Sequence, residues 1–560
     1  MTQTSIDRHL QERSALLERE KTSRRDHAFK TNMSPVAQMA AEIVALTRQH
    51  ESKIFWTTTE GSHSETKHPV LFPGMSFAVS RDRMQRTWLW NIVAAMPKGC
   101  LLHAHMEAMI DIDWMLDQAL EIPGFCMSSP IPINPATTTE LPPPFEFHYR
   151  PGRSVACAIP SIWTADYPPN ELIPLGQVAR THPGGISAFK SWAIVQMTIT
   201  KDEALYHHHR GIVDVWKKFA ACFRGIGGLF YTEPIFRRCV PRLLQQLHDD
   251  KIKYVELRLV PGAFHRTGSD VAESDARYFF ECFAQELQAY CASPHGAGFW
   301  GARMIWTALR SLPDEAIRAS MQHCLDCKAA YPALIAGFDF VGQEGLGRPL
   351  VDLLPLCRWF QQECARRNLT IPFFFHAGEC LGDGDATDGN IVDAILLGSR
   401  RIGHAFSLYK HPLLIDMVRD RQILVEMCPI SHEILRLTSN ILTHPMPALQ
   451  ARGVAVSLNN DDPAILGHGG NGLSYDFYQV LNAFENTGLG GVAAMAEDSV
   501  RWAAFEDESE TEWLAGVAGQ VGGLKASRLA EWRAEFESWC ELIVRQFAWD
   551  VKGGVGKRAG

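Results

Sequence analysis

The sequence predicts an α/β fold, a (β/α)8 TIM barrel, on three observations. Eight apolar runs of strand length recur between residues 99 and 462, amphipathic helical segments separate most of them, and chemically capable polar residues stand where the runs end. Near-continuous apolar strands alternating with helices imply a parallel sheet covered on both faces. Eight such units imply closure into a barrel. An open doubly wound sheet is the competing architecture, but its glycine-rich G-x-G-x-x-G turn follows none of the runs.

Ahead of the runs, residues 1–90 read as a helical N-terminal arm of mixed charge, with apolar positions at Leu10, Leu16 and Leu17, then Val36, Met39, Ile43 and Leu46. Such an arm either caps the body or packs on a second subunit. The barrel domain is expected over 91–550, with 551–560 as a flexible tail. Its strands are read in GCLLHAH (99–105), KYVELRL (253–259), ARMIWTAL (302–309), LIAGFDFVG (334–342), IPFFFHAGE (371–379), RRIGHAF (400–406), QILVEMCP (422–429) and GVAVSLNNDD (453–462). After the first run, residues 121–190 break the pattern. SSPIPINPATTTELPPP and DYPPNELIPLG are rich in proline, which works against regular helix and central strand. They form an irregular insertion with its own small fold, in which Cys126 and Cys157 both lie.

The formal charge of −9 over 560 residues disfavours nucleic acid or an anionic membrane as partner, since both need a basic field. No apolar run approaches the ~20 residues that span a bilayer. The first thirty residues are charged and lack the apolar centre of a signal peptide. Most of the 14 cysteines fall in apolar segments, as at Cys222, Cys239, Cys282 and Cys428. Both features point to a cytoplasmic protein, in which a Cys126–Cys157 bridge is disfavoured. CLDC at 324–327 lacks a second pair at zinc spacing and reads as a packed helix face.

A barrel enzyme builds its site where the strands finish. His103 and His105 end the first run, His376 and Glu379 the fifth; His404 lies in the sixth, and Asp461 and Asp462 close the eighth. One histidine at a strand end is usually a hydrogen-bonded structural residue, and an Asp pair before proline is usually a turn. Together on one rim they favour a site. Residues two apart on a strand share a face, so His103 and His105 both enter the barrel mouth. His376 adds a third imidazole, and a carboxylate from the eighth strand, beside the first in a closed barrel, completes the set. Three imidazoles and a carboxylate suit one Zn²⁺ with room for a water, and the ion relieves the repulsion between Asp461 and Asp462. Zinc lowers the pKa of bound water from ~15.7 to about 7. His404 then takes or holds the water proton, Asp461 orients the water, and Glu379 donates a proton from the opposite side of the substrate. That is a hydrolytic site.

The motifs MPKGCLLHAHMEAMIDIDW (96–114), AGFDFVGQEGLG (336–347), PFFFHAGE (372–379), RIGHAFSLYKHP (401–412), VEMCPISHEIL (425–435), SLNNDDPAILG (457–467) and GLSYDFYQV (472–480) follow one another in an order that resembles the adenosine deaminases. The resemblance is greatest to the adenosine deaminase-related growth factor branch. It implies that His103, His105, His376 and Asp461 bind zinc, Glu379 protonates purine N1, and His404 positions and deprotonates the zinc-bound water. Asp462 then bonds N7, and the backbone of Gly342 meets N3. The implied reaction is hydrolytic deamination of adenosine, and of 2′-deoxyadenosine, to inosine and ammonia.

The sugar half departs from the branch. Met106 follows the H-x-H pair where the branch typically has an acid, and Glu107 comes one residue later. Trp216 in VWKKF matches a tryptophan that borders the sugar, and Leu309 stands where a histidine is common. Adenylate or an N6-modified adenosine is therefore the alternative substrate. YHHHR (206–210) and WKK (216–218) are the features that favour phosphate, against a plain solvated-surface reading. The branch's arm contributes to dimerisation, so the resemblance leaves a homodimer open without requiring one. Its members are commonly secreted, against the cytoplasmic expectation. A receptor-binding, growth-factor-like protein with incidental catalysis is the reading from another class, and the retained catalytic positions argue against it.

Overall fold

Each predicted run contributes a strand to one parallel barrel in the computed structural model, which describes residues 3–57, 71–135, 144–152, 160–206, 211–470 and 472–552. The strands are β1 (Gly99–His105), β2 (Ile252–Leu259), β3 (Gly301–Leu309), β4 (Ile335–Val341), β5 (His376–Ala377), β6 (Arg401–His404), β7 (Leu424–Met427) and β8 (Val456–Leu458). They form two four-stranded arcs, β1-β2-β3-β4 and β5-β6-β7-β8, paired in parallel throughout. Parallel bridges close both seams, Phe338 to Phe373 on one side and Ala104 to Asp461 on the other. At the second seam the His105 N–H donates to the Asp461 carbonyl at 3.0 Å, and the Asp461 N–H to the His103 carbonyl at 3.3 Å. Barrel closure is thus what sets residues 103–105 against residue 461.

The barrel interior carries charge as well as apolar bulk. Arg401 is held by Glu256 at 2.6 Å and Glu426 at 2.5 Å, and Arg258 by Glu426 at 2.7 Å and Asp339 at 2.8 Å, all four pairs fully buried. Contacts from β2 to β6 and β7 span the interior, because those strands are not neighbours in the sheet. Buried charges offset their desolvation only when each is multiply bonded, and this alternating chain meets that condition.

The N-terminal region forms helices Gln3–Ser23, His27–Thr31, Pro35–Ile54, Phe77–Met84 and Trp88–Ala95. Ser34 caps the third by accepting from the Ala37 N–H at 3.0 Å. That helix buries Ala37, Ala40, Ile43 and Val44 and packs on the long C-terminal helix Leu524–Lys552. Of the expected apolar positions, Ile43 is buried, but Leu10, Leu16, Leu17, Met39 and Leu46 are exposed. Leu10, Leu16 and Leu17 all lie on the first helix, and Met39 and Leu46 on the third beside the buried Ile43, so the sequence spacing does not mark the face that is covered.

The insertion is more regular than its composition predicts. Strands Phe125–Ser128, Glu146–Tyr149 and Ile173–Pro174 form a small sheet, followed by helices Leu175–Thr181 and Gly185–Gln196. Proline acts locally: the prolines at 130–144 and at 168–174 lie mostly between these elements, and Pro174 stands on an edge strand, where a missing N–H costs nothing. Cys126 is buried, and Cys157 lies outside the described residues. Cys324 and Cys327 are buried on helix Asp314–Ala330, a packed face as expected. Of the expected tail, residues 553–560 lie outside the described ones. Among the described residues, no helix is long and apolar enough to cross a membrane.

Candidate active site

The seven residues expected at the strand ends meet at one rim of the barrel. Ring centroids of His103 lie 4.6 Å from His376, 4.5 Å from His404 and 5.6 Å from His105. Ligating atoms of His103, His376, His404 and Asp461 all fall within 4.8 Å of one another, as do those of His105, Asp461 and Asp462. Asp461 belongs to both groups, its Oδ1 standing 3.3 Å from Nε2 of His103 and 3.3 Å from Nε2 of His105. Nε2 of His103, Oδ1 of Asp461, Oδ1 of Asp462 and Nε2 of His404 are all buried without a hydrogen-bond partner. Buried polar atoms left unpaired are costly, and a divalent cation among them satisfies the donor set.

Two carboxylates on barrel strands orient the imidazoles. His103 Nδ1 lies 2.9 Å from Glu426 Oε2, and His376 Nδ1 lies 2.6 Å from Asp339 Oδ2. Against burial, Arg258 and Arg401 hold Glu426 well below the carboxylate range, and His376 and Arg258 do the same for Asp339. As ionised acceptors they place each imidazole proton on Nδ1, which leaves the Nε2 lone pairs facing the mouth. Burial depresses His376 to about 3, so its ring is neutral. Gly403 on β6 makes room: a Cβ there would stand 2.8 Å from His103 Cε1. His404, Ala405 and Asp461 adopt φ of +62°, +43° and +58°, a left-handed cluster of non-glycine residues at the strand ends. Such backbone persists where surrounding contacts over-determine it.

The neighbouring carboxyls are pushed in opposite directions. Against burial, the imidazoles of His103 and His105, each with Nε2 3.3 Å from Oδ1, hold Asp461 well below its ordinary range. Burial, and then the Asp461 charge, push Asp462 well above it. Burial, with Asp461 and Glu344, also raises Glu379, whose Oε1 lies 3.7 Å from His404 Nε2. The Glu344 carboxylate accepts the backbone N–H of Glu379 at 2.6 Å and of Gly378 at 2.8 Å, fixing the turn that presents Glu379.

On the expected sugar side the contacts are looser. Gly342 follows β4 at φ +100°, in the left-handed region that favours glycine. Its neighbour across the rim is Leu309, the last residue of β3. Met106 is fully buried in the core, whereas Glu107, on the short turn Met106–Ala108, is hydrogen-bonded to the Tyr231 hydroxyl. Burial raises Glu107 to about 7. Trp216 stands apart from the cluster: its ring packs on Phe219 at 5.1 Å, Phe219 on Phe223 at 5.2 Å, and Phe223 reaches His105 at 6.3 Å. WKK offers no phosphate grip. Lys217 pairs with Asp214 at 3.1 Å, and Lys218 is buried with its ammonium on the Val195 carbonyl at 2.8 Å. YHHHR falls at the edge of and largely outside the described residues.

Sequence reasoning missed Asp339, Glu426, Ser431, His432 and His444. The first two left a signal, a lone acid inside an otherwise apolar strand (GFDFV and LVEM). The other three lie after β7, where no periodicity indicates direction.

Residues 196–519 match the family model described as adenosine deaminase. Among curated proteins, adenosine deaminase 2 of Sus scrofa is 31% identical over 469 residues, covering 81% of this chain and 83% of that protein. Adenosine deaminase 2 of Homo sapiens is 29% identical over 465 residues, covering 80% and 82%. Among solved structures, an amidohydrolase from Burkholderia ambifaria with bound Zn gives a TM-score of 0.50 at 14% identity, over 82% of this chain and 95% of that one, a likeness of fold. These relatives correct the cytoplasmic expectation. They are adenosine deaminase 2 proteins, which places the chain beside the branch whose members are commonly secreted. Buried cysteines could not decide the compartment, because a buried thiol packs as a small hydrophobe in either.

Proposed function

The chain belongs to the adenosine deaminase family, and from that premise we propose that it deaminates adenosine and 2′-deoxyadenosine to inosine and ammonia, with one Zn²⁺ held by His103, His105, His376 and Asp461. The observation that carries the proposal is the convergence of unpaired, buried His103 Nε2 and Asp461 Oδ1 beside a carboxyl, Glu379, that burial pushes toward its protonated form.

When bound, zinc lowers the pKa of a water to about 7 and so supplies a nucleophile at neutral pH. The protein's own groups do the rest. Glu379 donates its proton to purine N1, which makes C6 more electrophilic. Asp461, kept ionised by its histidines, orients the attacking water, and His404 faces that water from β6. Asp462, pushed toward its protonated form, donates to N7, an acceptor. The Gly342 N–H meets N3, and Glu107 lies toward the ribose. The water proton passes through Asp461 to the 6-amino group, the C6–N bond breaks with its electron pair leaving on ammonia, and the C6 hydroxyl proton returns to Glu379.

The domain reading carries over on the same footing: 1–90 as an arm that pairs two subunits, 91–550 as the catalytic barrel, 121–190 as its insertion, and Trp216 as part of the insertion-side wall. Purified protein assayed by absorbance with adenosine, 2′-deoxyadenosine, adenylate and N6-methyladenosine, together with elemental analysis, tests the proposal. Adenosine turnover with about one zinc per chain is expected. Turnover of none of these substrates overturns it in favour of a binding protein, and preference for adenylate or the N6-methyl compound moves the substrate assignment.

A further inference from the structure

Behind His404 lies a file of histidines to which no motif along the chain assigns a role. His404 Nδ1 is 3.0 Å from His432 Nε2, and His432 Nδ1 is 2.8 Å from His444 Nε2. The file ends on a main-chain donor: the Met446 N–H donates to His444 Nδ1 at 3.1 Å. His432 and His444 stack at 5.1 Å with their planes 13° apart, and Phe406 lies edge-on to both. All three imidazoles are buried.

A backbone N–H can only donate, and this gives the file a direction. His444 Nδ1 must accept, so a neutral His444 carries its proton on Nε2 and donates to His432 Nδ1. His432 then carries its proton on Nε2 and donates to His404 Nδ1. His404 is left with its proton on Nε2, the atom that faces Glu379 and has no hydrogen-bond partner. The reverse orientation would set His444 Nδ1–H against the Met446 N–H, two donors 3.1 Å apart. Burial disfavours a charged ring in the file, lowering His432 to about 3 and His444 well below the imidazole range.

We infer that His432 and His444 are positioning residues that lock His404 in the Nε2–H tautomer, so that it enters the site as a hydrogen-bond donor to the attacking oxygen. The inference rests on the proposed deamination for what that oxygen attacks; the tautomer itself does not depend on it. It separates His404 from the other imidazoles of the cluster. Carboxylates leave His103 and His376 with inward lone pairs, as metal ligands need, whereas the file leaves His404 with an inward N–H. A ring whose Nε2 is already protonated, and whose Nδ1 accepts from His432, has no free site for a proton from the attacking water. His404 therefore stabilises and aims that oxygen, and the water proton goes to the neighbouring Asp461 carboxylate, whose Oδ1 has no hydrogen-bond partner.

Long-range ¹H–¹⁵N correlation spectra of the full-length, zinc-loaded protein labelled with ¹⁵N-histidine read each ring's tautomer, with His404 assigned by the signals lost in His404→Gln. The expected result is an Nε2–H tautomer at His404 in the wild type and its loss in His432→Phe. An Nδ1–H tautomer at His404, or one unchanged in His432→Phe, overturns the inference. For kinetics, His432→Phe should lower kcat about 10- to 100-fold with KM and zinc content unchanged. His432→Gln, whose amide can accept from His444 and donate to His404, should recover most of the loss. Equal rates in wild type and His432→Phe also overturn it. If the wild type turns over no substrate, the functional proposal fails while the tautomer spectrum still decides the inference. The wild-type spectrum needs only the His404→Gln assignment, so a misfolded His432→Phe does not block the test.

Discussion

The Ser431 hydroxyl donates to Oδ2 of Asp461 across 2.7 Å, which leaves Oδ1 of the same carboxylate to face His103 and His105. Ser431 sits on the short helix Pro429–Ile434 beside His432, and next to it Glu433 accepts from the Ser76 hydroxyl and the Phe77 N–H, each at 2.7 Å. One turn therefore ties Asp461, His404 and the N-terminal region together. Ser431→Ala should free the Asp461 carboxylate to rotate and weaken zinc binding about 10- to 100-fold, lowering the Tm of the zinc-loaded protein by the matching linkage, about 1.4 to 2.7 kcal/mol, with little change in the Tm of the metal-free protein. Competition against a chromophoric chelator measures this, and wild-type affinity in the variant would remove Ser431 from the site's support.

Glu379→Gln keeps the size and one acceptor of the side chain but cannot deliver the same proton. Its kcat should fall by about 10²- to 10⁴-fold, with zinc content unchanged because Glu379 is outside the proposed ligand set. A rate near wild type would remove Glu379 from the mechanism.

Metal removal should be visible in stability as well as in rate. The ligand atoms converge in the folded barrel and are scattered over residues 103–461 of the unfolded chain, so zinc binds the native state preferentially. At free zinc about 1,000-fold above its Kd the linkage is worth about 4 kcal/mol. Exhaustive dialysis against chelator should lower Tm and abolish turnover, with both restored by one equivalent of Zn²⁺. A Tm indifferent to chelation would sink the proposed ligand set.

Glu51 gives a pH-dependent expectation remote from the site. Its carboxyl accepts the Trp88 N–H at 2.5 Å and the Leu89 N–H at 3.4 Å, capping helix Trp88–Ala95. Burial raises it from 4.5 to about 7. A carboxyl raised in the folded state costs stability once ionised: the cost is absent below the unfolded value, grows between the two and is complete above the folded one, at about 1.4 kcal/mol per unit of separation. Glu51→Gln retains an acceptor without charge, so its Tm should exceed the wild type's at pH 8 and the gap should shrink toward pH 5. A gap of equal size at both pH values would show that Glu51 does not titrate in this range.

Much of the barrel was legible in the chain itself. Strands buried on both faces have no polar alternation to hide them, so each of the eight runs stood out, and the two-residue period put His103 and His105 on one side. The insertion and the arm were read less well. Proline composition overstated irregularity around Phe125–Ser128 and Glu146–Tyr149, and the arm's apolar positions do not form a buried stripe, since Leu10, Leu16, Leu17, Met39 and Leu46 face solvent. Trp216 entered on a short motif and lies two rings away from the histidines.

By itself the sequence determined the strand order, the rim on which chemistry collects and the residue types that collect there, because side-chain alternation and apolar runs are local properties. Only the tertiary structure decided how each group is prepared. Asp339 and Glu426 lie 37 and 323 residues from the histidines they orient, and His432 meets His404 from another loop. Tautomers and protonation states depend on burial and on the nearest donor or acceptor in space, and no pattern along the chain encodes that neighbour.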